Sequence, residues 1–557
     1  MTKIPAQQDN PTDLDVVYEY HDRTKHHLHR YARSLGYMDW ASQPDPFRRY
    51  DDATVFPLDH PPVTATPAYD ALFYKPQQPV APLDRDSVSR FFYESLAISA
   101  WKQAGNNRWS LRVNPSSGDL HPTEAYLISG PIPGLTVEPG VYHYSVFRHA
   151  LERRTVLTSA EWENVSRPLP QDSLLIVLAS IYWRESWKYG ERAFRYCQHD
   201  AGHAIGTVTF AATTLGWKTG LLHSVTDNDL EVLSGLQQQE GIEAEHADCL
   251  LVIHPADVNT ITTGISVNLP ATLLERLNTT RPEGHPNPLS RQYHAWPVID
   301  TVAEACRFDC EYSFNRNSGT GSGSGNVLFG DRHISARKII RQRRSAIAMD
   351  GHSRISMEAF YRMMVHVSPF PGNNILEALP WRPRVSLALF IHRVDGLPPG
   401  LYLLVRNPDH EASLRTSLRP EFLWDRPEDC PEPLHLYLLQ NADARDAARI
   451  ISCHQDIAAD GAFALGMLAE FDAALEQYGA SFYPRLFWET GLIGQILYLE
   501  AEAAGIRSTG IGCFFDDAMH EILGIRDHSW QSLYHFTVGG AVDDPRLQTL
   551  PSYWYLK

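Results

Sequence analysis

The sequence has no long hydrophobic run. Its longest apolar stretch, LLIVLASIYW (Leu174–Trp183), is about half of the ~20 residues a membrane-spanning helix needs, and it reads as a buried strand. Positive charge is also in short supply: 49 Lys and Arg face 66 Asp and Glu, a net charge of −17. Binding nucleic-acid phosphates or an anionic membrane surface needs a local Lys/Arg excess, so neither partner is expected. Cysteine is sparse. The seven cysteines are odd in number and mostly far apart, which excludes a disulfide framework. Cys306 and Cys310 form the one close pair, and no two further ligands stand at a matching spacing, so a structural role is expected and no metal. The segment MTKIPAQQDNPTDLDV lacks the apolar core of a signal peptide, and a reduced, cytoplasmic setting is expected.

What is present is an ordinary globular balance, 43% hydrophobic and 21% charged over 557 residues, enough for two to four domains. A repeat narrows this. Gly202, Gly216, Asp227, Leu233 and Gly235 recur as Gly491, Gly505, Asp516, Ile522 and Gly524 at a constant offset of 289 residues, and Tyr189-Gly190 recurs as Tyr478-Gly479. Each copy reads as a long helix, a glycine stop, a short extended piece and a second helix opened near an Asp. PGVYHYSVFRHALERR (Pro139–Arg154) and PGLYLLVRNPDHEASLR (Pro399–Arg415) form a further related pair. Between the copies, Arg281–Gly330 is rich in Pro and Gly and contains the linker-like NSGTGSGSGN (Asn317–Asn326). The expected organisation is an N-terminal helix and Pro-rich arm over 1–84, a first domain over 85–280, a linker over 281–335 and a second domain over 336–557. The first helix is expected at Val16–Leu35. Its cluster His21, His26, His27 and His29 shares no helical stripe and reads as a solvated face.

Three segments carry chemistry. Asn114-Pro115-Ser116-Ser117-Gly118 is a turn by composition, presenting hydroxyls and free backbone N–H groups at one point; it suits a polar ligand edge or a capped loop before a strand. Lys188-Tyr189 precedes a long helix, with Arg192 and Arg195 in its first turns. The pair fits two proton-transfer groups, or a snorkelling Lys beside a core Tyr. Arg343-Arg344-Ser345 offers two guanidiniums and a hydroxyl, which suits a phosphate monoester or a basic surface patch.

Together these segments resemble the flavin-dependent nitroreductase superfamily, and within it the SagB-type azoline dehydrogenases of peptide natural-product biosynthesis. PSSGDLHPTEAY, PGVYHY, WKYGERAFRY and GIGCFFDDAMHEILGI carry the resemblance, with YHDRTK and PDPFRRY nearer the start. It covers roughly Asp84–Pro255 and Ala336–Val542. The resemblance implies an α+β fold with a mostly antiparallel sheet, and two tandem nitroreductase-like domains forming an intramolecular pseudo-dimer. Members bind FMN at a dimer interface, one subunit supplying the Arg-Arg-Ser phosphate site and the glycine segment, the other the Pro-Ser-Ser turn.

The two copies depart from this pattern in opposite ways. The first has the turn, but Leu221-Leu222-His223 stands where the second has Gly510-Ile511-Gly512. The second has Arg343-Arg344-Ser345 and the glycines, but Ser368-Pro369-Phe370-Pro371-Gly372 is its nearest stretch to a Pro-Ser-Ser turn, and Gln477 replaces Lys188. One composite FMN site is therefore expected, joining Arg343, Arg344, Ser345 and Gly510, Ile511, Gly512 and Cys513 with Pro115, Ser116, Ser117 and Gly118. Arg546 is a candidate second phosphate ligand. Lys188 and Tyr189 match the family's catalytic pair, with Arg192 and Glu124 in support. The implied reaction is azoline oxidation to azole by hydride transfer to FMN, on a small or peptide-derived substrate, with cyclodehydratase-type partner enzymes. Alternatives are a general NAD(P)H-dependent nitro- or quinone reductase and an inactive peptide- or partner-binding scaffold.

Overall fold

The computed structural model describes residues 11–74, 79–255, 265–309, 314, 329, 332–370 and 372–556. Cys310, Pro371 and the expected linker run 317–326 lie outside them. Two antiparallel sheets dominate. The first has seven strands, in the order Val55–Pro57, Ala150–Val156, Gly140–Ser145, Thr123–Ser129, Leu174–Ser180, His246–Pro255 and Trp217–Leu222. The second has six: Leu436–Asn441, Gly400–Leu404, Val385–Ile391, Phe463–Glu470, Trp530–Gly539 and Arg507–Ile511. Strand for strand the second repeats the order of the first, which carries one extra edge strand from the N-terminal arm. Leu174–Ser180 is buried along its whole length, as its unbroken apolar pattern requires, while Tyr182 and Trp183 from the same apolar run begin a helix, Tyr182–Tyr189.

Each sheet is interrupted in the chain by one long helix, Ala193–Thr214 and Tyr483–Ala503, with two strands of the sheet following it, and the two helices pack on one another. The repeated glycines explain how. A Cβ on Gly202 would fall 2.5 Å from the Trp488 carbonyl oxygen, and one on Gly491 would strike the His199 carbonyl. Only glycine at both positions lets the backbones touch. Around this crossing one continuous apolar core takes residues from both copies, Ile176, Ile205, Met467 and Leu492 among them. Smaller cores sit on the far face of each sheet.

The first helix differs from the sequence expectation. It runs Asp13–Arg23, opened by a Thr12–Asp15 capping box, and stops well short of Leu35. Thr24 turns its hydroxyl back to the Tyr20 carbonyl, 2.7 Å, and the chain leaves the helix axis so that the His26 N–H can donate to Asp516, 2.9 Å. The histidine cluster is split: His29 is exposed and His27 half-buried, while His21 and His26 are buried, His21 between Phe471 and Gln531 of the second copy. Among the described residues no group of side chains could hold a metal ion. The region expected as a linker also contains a helix, Pro297–Ala305, packed on Asp13–Arg23. No described helix is long and apolar enough to cross a membrane.

Candidate active site at the junction of the two copies

A cavity of about 780 Å³ opens where the copies meet. From the second copy it is lined by Arg343-Arg344-Ser345 and by Gly510-Ile511-Gly512-Cys513, and from the first by Pro115-Ser116-Ser117-Gly118 and Tyr189. The three sequence segments, more than two hundred residues apart at the extremes, therefore line one cavity.

One end of the cavity is cationic. Arg343 follows a short helix, Ala336–Gln342, and is buried, donating to the Arg112 and Val113 carbonyls at 3.0 and 3.3 Å and lying over the Tyr498 ring. Arg344 donates to the carbonyls of Arg341 and Ser99, 3.0 and 3.1 Å. Among the described residues neither guanidinium has a carboxylate partner, and the Nε of Arg343 has no hydrogen-bond acceptor. Lys102 and Arg507 complete the cluster. Burial pulls Arg344 down to about 10, helped by Arg343 and Arg507, and Lys102 is lowered by burial and by Arg344 and Arg507. Arg507 is answered by Asp543 at 2.6 Å, and Glu502 and Asp543 offset part of the lowering of Arg344 and Lys102, which leaves Arg343 and Arg344 as guanidiniums of this end without an ion pair among the described residues. Ser345 and the Gly510 N–H both meet the Tyr498 hydroxyl, at 3.0 and 2.9 Å, which ties the Arg-Arg-Ser loop to the glycine strand.

The opposite wall is the Pro-Ser-Ser-Gly turn. Ser117 donates its N–H and its hydroxyl to Asp200, both at 3.0 Å, and Ser116 accepts from the His121 N–H at 2.8 Å. Burial holds the Asp200 carboxyl up near 7, against the pull of these hydrogen bonds. Gly118 adopts φ +59°, and a Cβ there would lie 2.5 Å from the Tyr189 hydroxyl and 2.8 Å from Lys188 Nζ. The turn thus lies directly on the Lys-Tyr pair, and that contact needs glycine. Tyr189 packs on Tyr196, ring centroids 4.3 Å apart, and Tyr196 donates to the Gly512 carbonyl at 3.0 Å. Beneath them the buried Glu185 carboxyl is raised by burial and by Asp200, countered by Lys188.

The other three candidates lie as follows. Arg546 is not brought to the cavity wall: it is exposed and held by Asp544 two residues away, 2.6 Å, whereas Arg507 takes a place in the cationic end. Arg192, expected to support the Lys-Tyr pair, lies in a buried ion triad in which it and Arg195 bind Asp516 at 3.0 and 2.8 Å. Glu124 is buried on the strand Thr123–Ser129, paired with Arg184 at 2.5 Å and His143 at 3.1 Å; burial would raise it, but these cations hold it near 2. Sequence reasoning missed Lys102, Tyr498 and Arg507. Arg507 had a signal, since it opens the RSTGIG strand that carries the glycines. Lys102 had none, because it reaches the cavity only through pairing of Ile98–Ala104 with the late strand Gln548–Leu550.

The repeat-related location is built differently. Tyr478 and His223, the counterparts of Tyr189 and Gly512, both pack on Phe314, with ring centroids 5.3 and 4.9 Å apart, and Trp381 and Phe482 close the cluster. Gln477, in the place of Lys188, accepts from Arg384 at 2.6 Å.

Residues 432–540 match the model of the nitroreductase family. The match lies wholly within the second copy. The whole chain is similar in fold to a crystal structure of a protein from Anabaena variabilis, named as a nitroreductase, which superposes with a TM-score of 0.65 at 21% identity, covering 95% of this chain and 99% of that one. A Methanocaldococcus jannaschii protein also named as a nitroreductase is 30% identical over 134 residues, 22% of this chain and 64% of that protein. The trifolitoxin-processing protein TfxB of Rhizobium leguminosarum bv. trifolii is 30% identical over 126 residues, 21% of this chain and 33% of that protein. This chain thus spans under two thirds of the length of either curated relative. The expected α+β fold with two tandem nitroreductase-like copies is borne out, and the nitroreductase resemblance with it.

Proposed function

We propose that the chain is an FMN-dependent oxidoreductase of the SagB type, with one flavin site built as a pseudo-dimer interface within a single chain. The observation that carries this reading is the cavity in which the unpaired cations of one copy face the turn and the Lys-Tyr pair of the other. The residues fit FMN. Arg343, Arg344 and Lys102 suit a phosphate monoester. Gly510 and Gly512 line the cavity beside Tyr534 and Tyr196, which occupy the space a Cβ at either glycine would need, so strand backbone and aromatic rings together form an apolar wall suited to a flat ring system. The domain limits 1–84, 85–280, 281–335 and 336–557 belong to this reading, with the Phe314 cluster marking the second, degraded site.

When bound, FMN supplies two-electron hydride acceptance. The chain's own part is to place the substrate and move a proton. Lys188 Nζ and the Tyr189 hydroxyl converge at Gly118, positioned to take the proton that an azoline ring carbon loses as the ring becomes aromatic. Similarity to a toxin-processing protein supports a peptide-derived substrate and partner enzymes of the cyclodehydratase kind, in the cytoplasm. The test is incubation of the flavin-loaded protein with a thiazoline-bearing peptide, read by mass spectrometry. Loss of two hydrogens per ring is the expected result. Nitroaromatic-dependent NADH oxidation without any azoline turnover would replace this reading with that of a general reductase.

A further inference from the structure

Cys513 ends the glycine segment and lines the cavity, and Cys453 lies against it with 2.8 Å between the two Sγ atoms, although the cysteines are 60 residues apart in sequence. Both are partly exposed, unlike Cys197, Cys249 and Cys306, which are buried. Their surroundings favour a thiolate on one of them. His26 accepts the Ala32 N–H on Nδ1 at 2.9 Å, which leaves its Nε2–H to donate to Cys513. The Arg192 guanidinium lies over the neighbouring Phe514 ring. The hydrogen bond from Cys453, then that from His26 and the charge of Arg192, pull the Cys513 thiol below its usual range. Cys453 moves the opposite way, raised by its hydrogen bond to Cys513 and by burial. Asp516 and Tyr31 also face the pair, Tyr31 as an exposed ring packed on Phe515 and His26. Cys453 and His454 hold φ of 55° and 59°, a left-handed backbone unusual for side chains of this kind.

We propose that Cys453 and Cys513 are a redox-active pair that undergoes thiol–disulfide exchange with small-molecule disulfides, Cys513 as the attacking thiol and Cys453 as the resolving one. The Cys513 thiolate attacks a disulfide RSSR; the R–S–S–R bond breaks, a Cys513–S–SR bond forms, and RS⁻ leaves. Cys453 gives its proton to that thiolate and attacks the Cys513 sulfur, forming the Cys453–Cys513 bond and releasing the second RS⁻, which is protonated from water. Two thiols are oxidised by two electrons and RSSR is reduced to two RSH. The bond formed ties the turn at Ser452–His454 to the glycine strand in the cavity wall, where Gln455 already donates to the Cys513 carbonyl at 3.0 Å. Such a pair in a reducing compartment acts as a transient or sensing device rather than a structural staple. The proposal stands independently of the flavin reading.

The test equilibrates the full-length protein in buffers of reduced and oxidised glutathione, quenches it with acid and maps peptides without reduction. The expected product is a single 453–513 cross-link, lighter by two hydrogens and reversed by dithiothreitol. In Cys453→Ser, glutathione should stay trapped on Cys513. In Cys513→Ser, capture of the first glutathione should slow by about tenfold or more. No 453–513 link in the wild-type protein under buffers that oxidise its other exposed thiols would overturn the proposal. So would glutathione spread evenly over Cys430 and Cys513 in Cys453→Ser. The wild-type map is decisive even if a variant fails to fold.

Discussion

Arg343 and Arg344 carry their charge among carbonyl oxygens, with no carboxylate partner among the described residues. Hydrogen bonds to charged groups are worth about 1.5–3 kcal/mol each. Arg343→Ala should therefore weaken FMN binding about tenfold or more, measured by fluorescence quenching during titration, while the fold persists. Lys188→Ala and Tyr189→Phe should keep the flavin and lose azoline turnover by about a hundredfold or more; full turnover in both would remove them from the chemistry. Asp200 gives a pH prediction. Its carboxyl is raised to about 7 in the folded chain from an ordinary value near 3.8. The native state thus binds the extra proton between these values, and Asp200 costs stability as pH rises from about 4 to 7. Asp200→Asn should flatten the fall in Tm over that window, and an unchanged pH profile would place the carboxyl in a more polar setting. The Arg-Arg-Ser and Pro-Ser-Ser-Gly residues were legible in sequence because their chemistry is local. Arg546 misled because a neighbouring Asp544 satisfies it, a contact that residue type alone does not reveal.

At the level of elements, the two long helices cross where Gly202 and Gly491 bring their backbones into contact. The offset of 289 residues exposed these glycines in the sequence, since a residue required by close approach recurs when the fold recurs. The end of the first helix was not legible, because the chain turns at Thr24 to reach Asp516 on another element. Gly491→Val would push the crossing apart and should cost about 1–3 kcal/mol, as overpacking does, seen as a lower midpoint in urea. Asp516 joins the arm, the first copy and the second through the His26 N–H, Arg192 and Arg195. Burial opposes its charge, but the two guanidiniums hold it well below the usual carboxylate range. Asp516→Asn would leave two buried cations short of a counter-charge, a loss of about 3–5 kcal/mol in chemical denaturation. Wild-type stability in that variant would mean that the triad relaxes into water.

Across the whole molecule, duplication has let the copies specialise. One set of Lys-Tyr and turn residues faces one set of arginines and glycines, while the mirror location is filled by Phe314, Trp381, Tyr478 and Phe482. Sequence comparison of the copies revealed the asymmetry through His223 for Gly512 and Gln477 for Lys188. The part played by Phe314 was hidden, because it comes from the stretch between the copies. The net charge of −17 likewise concealed a local cationic end made by side chains that only the fold assembles. The most direct measurement of this account is the FMN released by acid from purified protein, per chain, in the wild type and in Arg343→Ala/Arg344→Ala. One FMN per wild-type chain, falling to a small fraction in the double variant, is the expected result. Two FMN per chain, or one that survives loss of both arginines, would contradict the single composite site.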